Sequence, residues 1–377
     1  MRIAISGASG YIGQHLSSFL EGKGYDVIPL GRDLFKEDCF DELCRCVESC
    51  EVVINLAGAS INKRWTEAYK QELYDSRICV TRQLVHAINT RSVKLELFIS
   101  ASAVGYYPAF GEYDEYHDCR GMDFLARLCG AWEEEASACS SDVRLVITRF
   151  GVVLSEDGGA LKEMLRLQRF SRVSVVIGNG QQRFPWISLF DLCRSFGYII
   201  RNRQMRGVVN LVSPDLITQK QLAHTLARAD KIRRIIPLPE FFFRLKFGEG
   251  ASFVTKGQTV HPSKLQESGF TYIYPTIEKL MNITDHHTVP ELDVKRYMGR
   301  WYEIARYENH FERGMTDVTA TYTLLPDGKI RVENEGYKGG VHKKATGRAK
   351  QPDPKNNPGK LKVAFFLWFY ADYYILE

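Results

Sequence analysis

The chain has 377 residues, 45% of them hydrophobic and 25% charged, with 50 basic against 45 acidic side chains for a net charge of +5. That length exceeds one ordinary core and argues for two or three domains. Residues 285–377 carry 15 basic and 13 acidic side chains, leaving +3 for the rest, so no element gathers the cationic stripe a nucleic-acid binder needs, and nucleic acid is excluded as a partner.

No apolar run approaches the ~20 residues that span a bilayer, so no membrane span is expected. The opening Met-Arg-Ile-Ala-Ile-Ser enters a strand directly and lacks a basic segment followed by an apolar one. The nine cysteines are an odd number, and all lie before residue 194. Reduced thiols and a cytoplasmic location follow as expectations.

The first 210 residues alternate short apolar runs with longer amphipathic ones. Strands are predicted at Arg2–Ser6, Asp26–Leu30, Glu51–Leu56, Leu95–Ala101, Arg144–Thr148 and Val208–Val212, with helices over Tyr11–Gly22, Trp65–Thr90 and Asp123–Ala138. This rhythm predicts an α/β fold, a doubly wound parallel Rossmann sheet with right-handed crossovers.

The first strand runs into Gly7-Ala-Ser-Gly10-Tyr-Ile-Gly13 and then a helix. Gly7 allows the sharp turn, Gly10 lets a pyrophosphate approach the backbone, and Gly13 lets the helix pack on the strand. Gly7, Ser9, Gly10, Tyr11, Ile12 and Gly13 are the candidate cradle, with helix N–H groups and dipole facing the phosphates. At the end of the second strand, an acidic residue would bond the ribose 2′-hydroxyl and repel a 2′-phosphate. The chain reads Leu30-Gly31-Arg32-Asp33 there. Arg32 can pair with a phosphate, which favours NADP, with NAD as the alternative.

Cys39, Cys44, Cys46 and Cys50 contain no CxxC pair and no nearby histidine, and are read as helix-face thiols with no metal site. Lys63-Arg64-Trp65 combines two cations with an aromatic ring. That suits either an anionic or ring-bearing substrate, or a solvated loop with Trp65 in the core. Arg183-Phe-Pro-Trp186 follows Gly178 and Gly180; Arg183 is read as a substrate contact and Trp186 as packing. His117, in an acidic loop, is read as a solvated histidine in preference to a base. Lys63, Arg64 and Arg183 are thus the candidate substrate residues.

Residues 213–283 read as helices broken by prolines, a small lobe closing over the sheet. Residues 284–290 form a polar linker ending in Pro290. Residues 291–377 change to short β-type runs at Ala320–Leu324, Ile330–Asn334, Leu361–Phe369 and Tyr373–Leu376, with turns at Pro326-Asp327-Gly328 and Gly339-Gly340. Antiparallel hairpins are predicted.

Together GASGYIG, VINLAGASINKRWTEAYKQELYDSR, SASAVGYY, TRFGVVL and FPWISLFD resemble the atypical, extended short-chain dehydrogenase/reductases of the NAD-dependent epimerase/dehydratase, or sugar-nucleotide epimerase, family over about residues 1–283. The resemblance implies that Leu56, Ala57 and Gly58 line the nicotinamide-ribose side. It also puts Ser102 at the catalytic serine position. It implies an oxidoreductase or epimerase that moves hydride between NADP and a hydroxyl-bearing carbon of a small molecule such as a nucleotide sugar.

One departure stands out. Active members of that superfamily use Tyr-x-x-x-Lys, the lysine lowering the tyrosine's pKa for proton exchange. None of the 19 tyrosines here has a lysine four residues later. Leu125 and Cys129 fall near the expected places, and Tyr116-x-x-x-Arg120 keeps the spacing with an arginine. Tyr106 and Tyr116 are the candidate proton donors beside Ser102. The missing pair also fits a dinucleotide-binding sensor or scaffold without chemistry.

In the last segment a short helix and then Gly299-x-Trp301 opening a strand resemble the bacterial lipocalin family. The resemblance implies a barrel plugged by Trp301 and a hydrophobic ligand. A closed barrel needs eight strands, while about 90 residues supply five or six. A partial antiparallel barrel is therefore expected, open, completed by another chain, or cut short. Its free edges would suit pairing in a homodimer.

Overall fold

The computed structural model describes residues 1–281 (residue 94 excepted), 289, 291–303, 314–352, 354, 358–365 and 371–375. The chain falls into two compact units, Met1–Ile283 and Thr284–Glu377. Apart from Val289, the expected linker 284–290 lies outside the described residues.

Unit one is built on six strands: β1 (Arg2–Ser6), β2 (Asp26–Leu30), β3 (Val52–Asn55), β4 (Leu97–Ala103), β5 (Arg144–Phe150) and β6 (Gly207–Leu211). All pair in parallel, in the order β6-β5-β4-β3-β1-β2. The near-continuous apolar runs reflect burial of both faces. Successive β1 residues split between them: Ile3 and Ile5 pack with Leu16, Leu20 and Phe196, whereas Ala4 packs with Leu43, Leu84 and Ile88. The first layer comes from α1 (Tyr11–Glu21) and a helix at Leu189–Arg201. The second comes from α2 (Phe40–Glu48), α3 (Glu67–Thr90) and α4 (Phe124–Ser137). Strand order reverses between β1 and β3, so their carboxyl ends form the switch-point crevice where ligands of such sheets bind.

The lobe draws on residues 152–188 as well as on 213–283, through short parallel pairs joining 152–154 to 186–188 and 173–177 to 234–238. Asp191, fully buried, accepts from the backbone N–H of Ile273 (2.9 Å) and Tyr274 (2.8 Å), which ties the lobe to helix 189–201. Trp186 is buried, as packing requires.

Unit two is a meander of β7 (Gly299–Tyr302), β8 (Met315–Leu324), β9 (Ile330–Lys338), β10 (Val341–Lys350), β11 (Lys360–Ala364) and β12 (Ala371–Tyr374), each strand antiparallel to the next. Gly339 (φ 58°) and Gly340 (φ 79°) make the two-residue turn, both in the left-handed region that such a hairpin requires. Tyr322, Ile330, Val332, Leu361 and Val363 form its core. Among the described residues β7 pairs only with β8 and β12 only with β11. The lipocalin-like reading had Trp301 plugging a barrel. Instead Trp301 is 49% exposed and stacks on Tyr297 at 4.9 Å, because no closed wall surrounds it among the described residues.

One buried cation locks the far end of the main sheet. Arg144, 7% exposed, donates to the carbonyls of Ile199 (3.0 Å), Asn202 (3.0 Å), Met205 (3.2 Å) and Ile200 (3.2 Å). Those of Ile199, Ile200 and Asn202 close the end of helix 189–201, where carbonyls lack intrahelical partners, and that of Met205 follows it. Arg144→Met strands them, and urea denaturation of the full chain is expected to show a loss of about 3 kcal/mol in the first unit. A loss under about 1 kcal/mol would mean that water replaces the guanidinium.

Candidate functional site

The cradle is shaped by close backbone approach. Gly7 has φ +72°, and a Cβ there would lie 2.8 Å from the carbonyl carbon and oxygen of Leu56. A Cβ on Gly13 would lie 2.2 Å from the Gly7 carbonyl oxygen. Glycine at both positions therefore brings β1, α1 and the end of β3 into one knot. Gly10 begins α1 without a side-chain cap, and the first turn holds no acidic residue. Its N–H groups are left for an external acceptor, and Gln14 Nε2 steadies the loop by donating to the Ser9 carbonyl (3.0 Å). Tyr11 and Ile12 open the helix; the Tyr11 ring faces Gly158, where a Cβ would fall 2.3 Å from it. These features fit a dinucleotide pyrophosphate.

Leu30 pairs with Ser6, so Gly31 and Arg32 emerge beside the cradle. Arg32 is exposed at the start of a short 3-10 turn. Its acidic neighbour is engaged elsewhere: Asp33 meets Lys36 Nζ at 2.5 Å, and that contact holds its carboxyl below the usual range.

A buried polar chain fixes the floor. Ser6 Oγ donates to Asn55 Oδ1 (2.7 Å), Asn55 Nδ2 to Thr81 Oγ1 (2.8 Å), and Trp132 Nε1 to the same hydroxyl (2.9 Å). Asn55 Oδ1 also receives the Ala57 N–H at 3.3 Å. Leu56, Ala57 and Gly58 are thereby held at the switch point, where a Cβ on Gly58 would lie 2.9 Å from the Arg77 guanidinium carbon.

Ser102, at the end of β4, is buried and donates to Glu133 Oε1 at 2.6 Å. Arg149 on β5 grips the same carboxylate twice, Nε to Oε1 (2.8 Å) and Nη2 to Oε2 (2.7 Å). Leu125, Cys129 and Glu133 are spaced by four along α4, so they share one face. Leu125 abuts Gly105, and Cys129 senses both Glu133 and Ser102. Burial, helped by the Glu133 charge and opposed by Arg77, pushes the Cys129 thiol up to about 12. Where the family pair would stand, this helix thus carries an apolar side chain and an un-ionised thiol, with a carboxylate one turn on.

The two candidate tyrosines part company. The Tyr106 ring lies 3.5 Å from the Arg149 guanidinium carbon, and its hydroxyl donates to Asp118 at 3.0 Å; burial and that bond raise its pKa. Tyr116 is exposed and donates to Glu267 (2.5 Å), which pushes it up to about 12. The structure groups Ser102 and Tyr106 around Glu133 and Arg149, and ties Tyr116 to the lobe. Lys63 is exposed with Nζ 4.9 Å from the Tyr69 ring centre, Arg64 donates to the Leu245 carbonyl (3.0 Å), and Trp65 is buried. Arg183 is exposed and donates to the Leu216 carbonyl (3.0 Å). His117 bonds Asp114 at 2.7 Å on an exposed loop.

Sequence reasoning missed Glu133, Arg149 and Arg77. A signal existed for the first two: the step from Leu125 through Cys129 reaches Glu133, and Arg149, with Arg144, is one of two charges in the otherwise apolar Arg144–Phe150 strand.

Residues 3–211 match the model of the NAD dependent epimerase/dehydratase family, 238–282 match a domain of unknown function (DUF1731), and 292–377 match the Lipocalin-like domain. The Bacillus subtilis epimerase family protein YfhF is 34% identical over 307 residues, 77% of this chain and all of that one. The chloroplastic SDR39U1 homolog of Arabidopsis thaliana is 33% identical over 297 residues, 74% of this chain and 85% of that one. A crystal structure of human epimerase family protein SDR39U1 with NADPH superposes with a TM-score of 0.69 at 32% identity, covering 75% of this chain and 98% of that one.

The Glu133–Arg149 pair generates a stability test. Arg149→Met strands a buried carboxylate and is expected to cost about 3–5 kcal/mol. Adding Glu133→Leu should recover more than half of that loss. A double variant no more stable in urea than the single one would show that the two charges do not act as a unit.

Proposed function

The chain belongs to the NAD dependent epimerase/dehydratase family, and on that footing we propose that its first unit is an NADP(H)-dependent oxidoreductase or epimerase acting on a hydroxyl-bearing small molecule, with a nucleotide sugar as the leading candidate. One observation carries the reading: the Ser102 hydroxyl points its proton at a buried carboxylate, Glu133, itself locked by Arg149. A serine oriented in this way keeps its oxygen lone pairs free to accept a proton from a substrate hydroxyl.

In this reading Gly7, Gly10, Gly13 and the α1 N–H groups hold the pyrophosphate, Arg32 the 2′-phosphate, and Leu56–Gly58 the nicotinamide ribose. When bound, the nicotinamide supplies the hydride acceptor or donor. Ser102 takes the substrate proton as its own passes to Glu133, which replaces the missing tyrosine–lysine relay. Tyr106, stacked on Arg149 with its pKa raised, keeps its proton and turns its hydroxyl from Asp118 to donate a hydrogen bond to the reacting oxygen. Lys63, open to solvent, and Arg183 receive an anionic substrate group. Both tyrosines donate to a carboxylate, Asp118 or Glu267, and the stacking of Tyr106 on the Arg149 that holds Glu133 favours Tyr106 as the hydrogen-bond donor.

Calorimetric titration should give NADPH at least ~10-fold tighter than NADH, roughly 1.4 kcal/mol, with Arg32→Asp reversing the order. Equal affinities in the unaltered protein would overturn the 2′-phosphate assignment. Against a panel of nucleotide sugars with NADP, Ser102→Ala should cut turnover about 10²-fold or more while NADPH affinity stays put. Binding without turnover on any substrate would favour a sensor of the dinucleotide.

A further inference from the structure

A further cation, half-buried, stands beside the site without a carboxylate. Arg77, on α3, packs its guanidinium against Gly58, where a Cβ would approach its Cζ to 2.9 Å and Nη2 to 3.0 Å. It lies 5.2 Å from the Trp132 ring centre and donates to the carbonyls of Leu73 (3.1 Å) and Ala59 (3.0 Å). Among the described residues no carboxylate is within ion-pair distance of it. A carboxylate would be the ordinary partner of a half-buried guanidinium. Desolvation lowers its pKa, and the groups that oppose this are the Cys129 thiol and the Tyr69 phenol, not a carboxylate. Glu133 is already committed to Arg149, so it does not neutralise Arg77.

The position matters as much as the charge. Cys129 falls near the place of the family's lysine, and Arg77 reaches its surroundings from the neighbouring helix. Gly58, the residue whose missing side chain makes room for Arg77, is one of the three that resemble the nicotinamide-ribose wall. Removing a lysine from α4 while an unpaired arginine from α3 enters the same corner keeps one positive charge there.

We propose that Arg77 supplies, from α3, the positive charge at the nicotinamide-ribose end of the cradle, and so holds that half of the bound dinucleotide. The proposal rests on the dinucleotide reading above. An arginine there cannot shuttle a proton, so its part is to bind and orient the cofactor. It is a positioning residue, separate from the Ser102–Glu133 relay.

The test compares two ligands on the full chain. NADPH reaches the nicotinamide end, whereas 2′,5′-ADP fills only the adenosine end. Arg77→Gln should weaken NADPH about 10-fold and leave 2′,5′-ADP within about two-fold. Arg77→Lys, which keeps the charge but cannot span both carbonyls, should hold NADPH within about three-fold. Equal loss of both ligands in Arg77→Gln would overturn the proposal, because it marks a purely structural staple; so would unchanged NADPH affinity. Should Arg77→Gln fail to fold, Arg77→Lys decides alone: a loss of NADPH affinity of 10-fold or more overturns the proposal, and retained affinity with unchanged 2′,5′-ADP supports it. If the unaltered protein binds neither ligand, the dinucleotide reading itself falls, an outcome distinct from the others.

Discussion

Glu133 and Arg149 are almost fully withdrawn from water, and the chemistry of the cleft is organised around that fact. A lone carboxylate or guanidinium at such a depth costs several kcal/mol, so the two must stay together in bidentate register. Their register ties α4 to β5, orients the Ser102 hydroxyl at the end of β4, and gives the Tyr106 and Tyr107 rings a cation to stack on. Moving any one of these elements would break a buried charge contact.

A second constraint operates beside the first. The contact of Gly7 with Leu56 and of Gly13 with Gly7 is steric, and is satisfied only by leaving side chains out. The two constraints divide the work. Steric closeness shapes the place where phosphates fit, and buried electrostatics shapes the place where a proton can move.

Much of this was legible in the sequence, for identifiable reasons. Strands buried on both faces read as apolar runs, and the glycine turn sits between a strand and a helix, so both are local signals. Glu133 and Arg149 are 16 residues apart and belong to different elements. Nothing local marks them as partners, and charged residues are ordinarily read as exposed. Arg77 was hidden in the same way inside a helix of mixed polarity. Val341–Lys350 escaped notice because it carries almost no apolar side chains; it is a strand because the Gly339-Gly340 hairpin sets it against Ile330–Lys338. The placement of Trp301 depended on a closed wall, which no short motif specifies. The contacts that distinguish Tyr106 from Tyr116, Arg149 and Glu267, lie in other elements, the latter some 150 residues further along.

The raised pKa of Cys129 has a consequence for how the cleft meets oxidants. Peroxides and disulfides attack the thiolate. With burial holding the thiol well above its ordinary range, little of that thiolate forms near neutral pH. Burial thus leaves the Cys129 sulfur beside Ser102 chemically quiet toward oxidants.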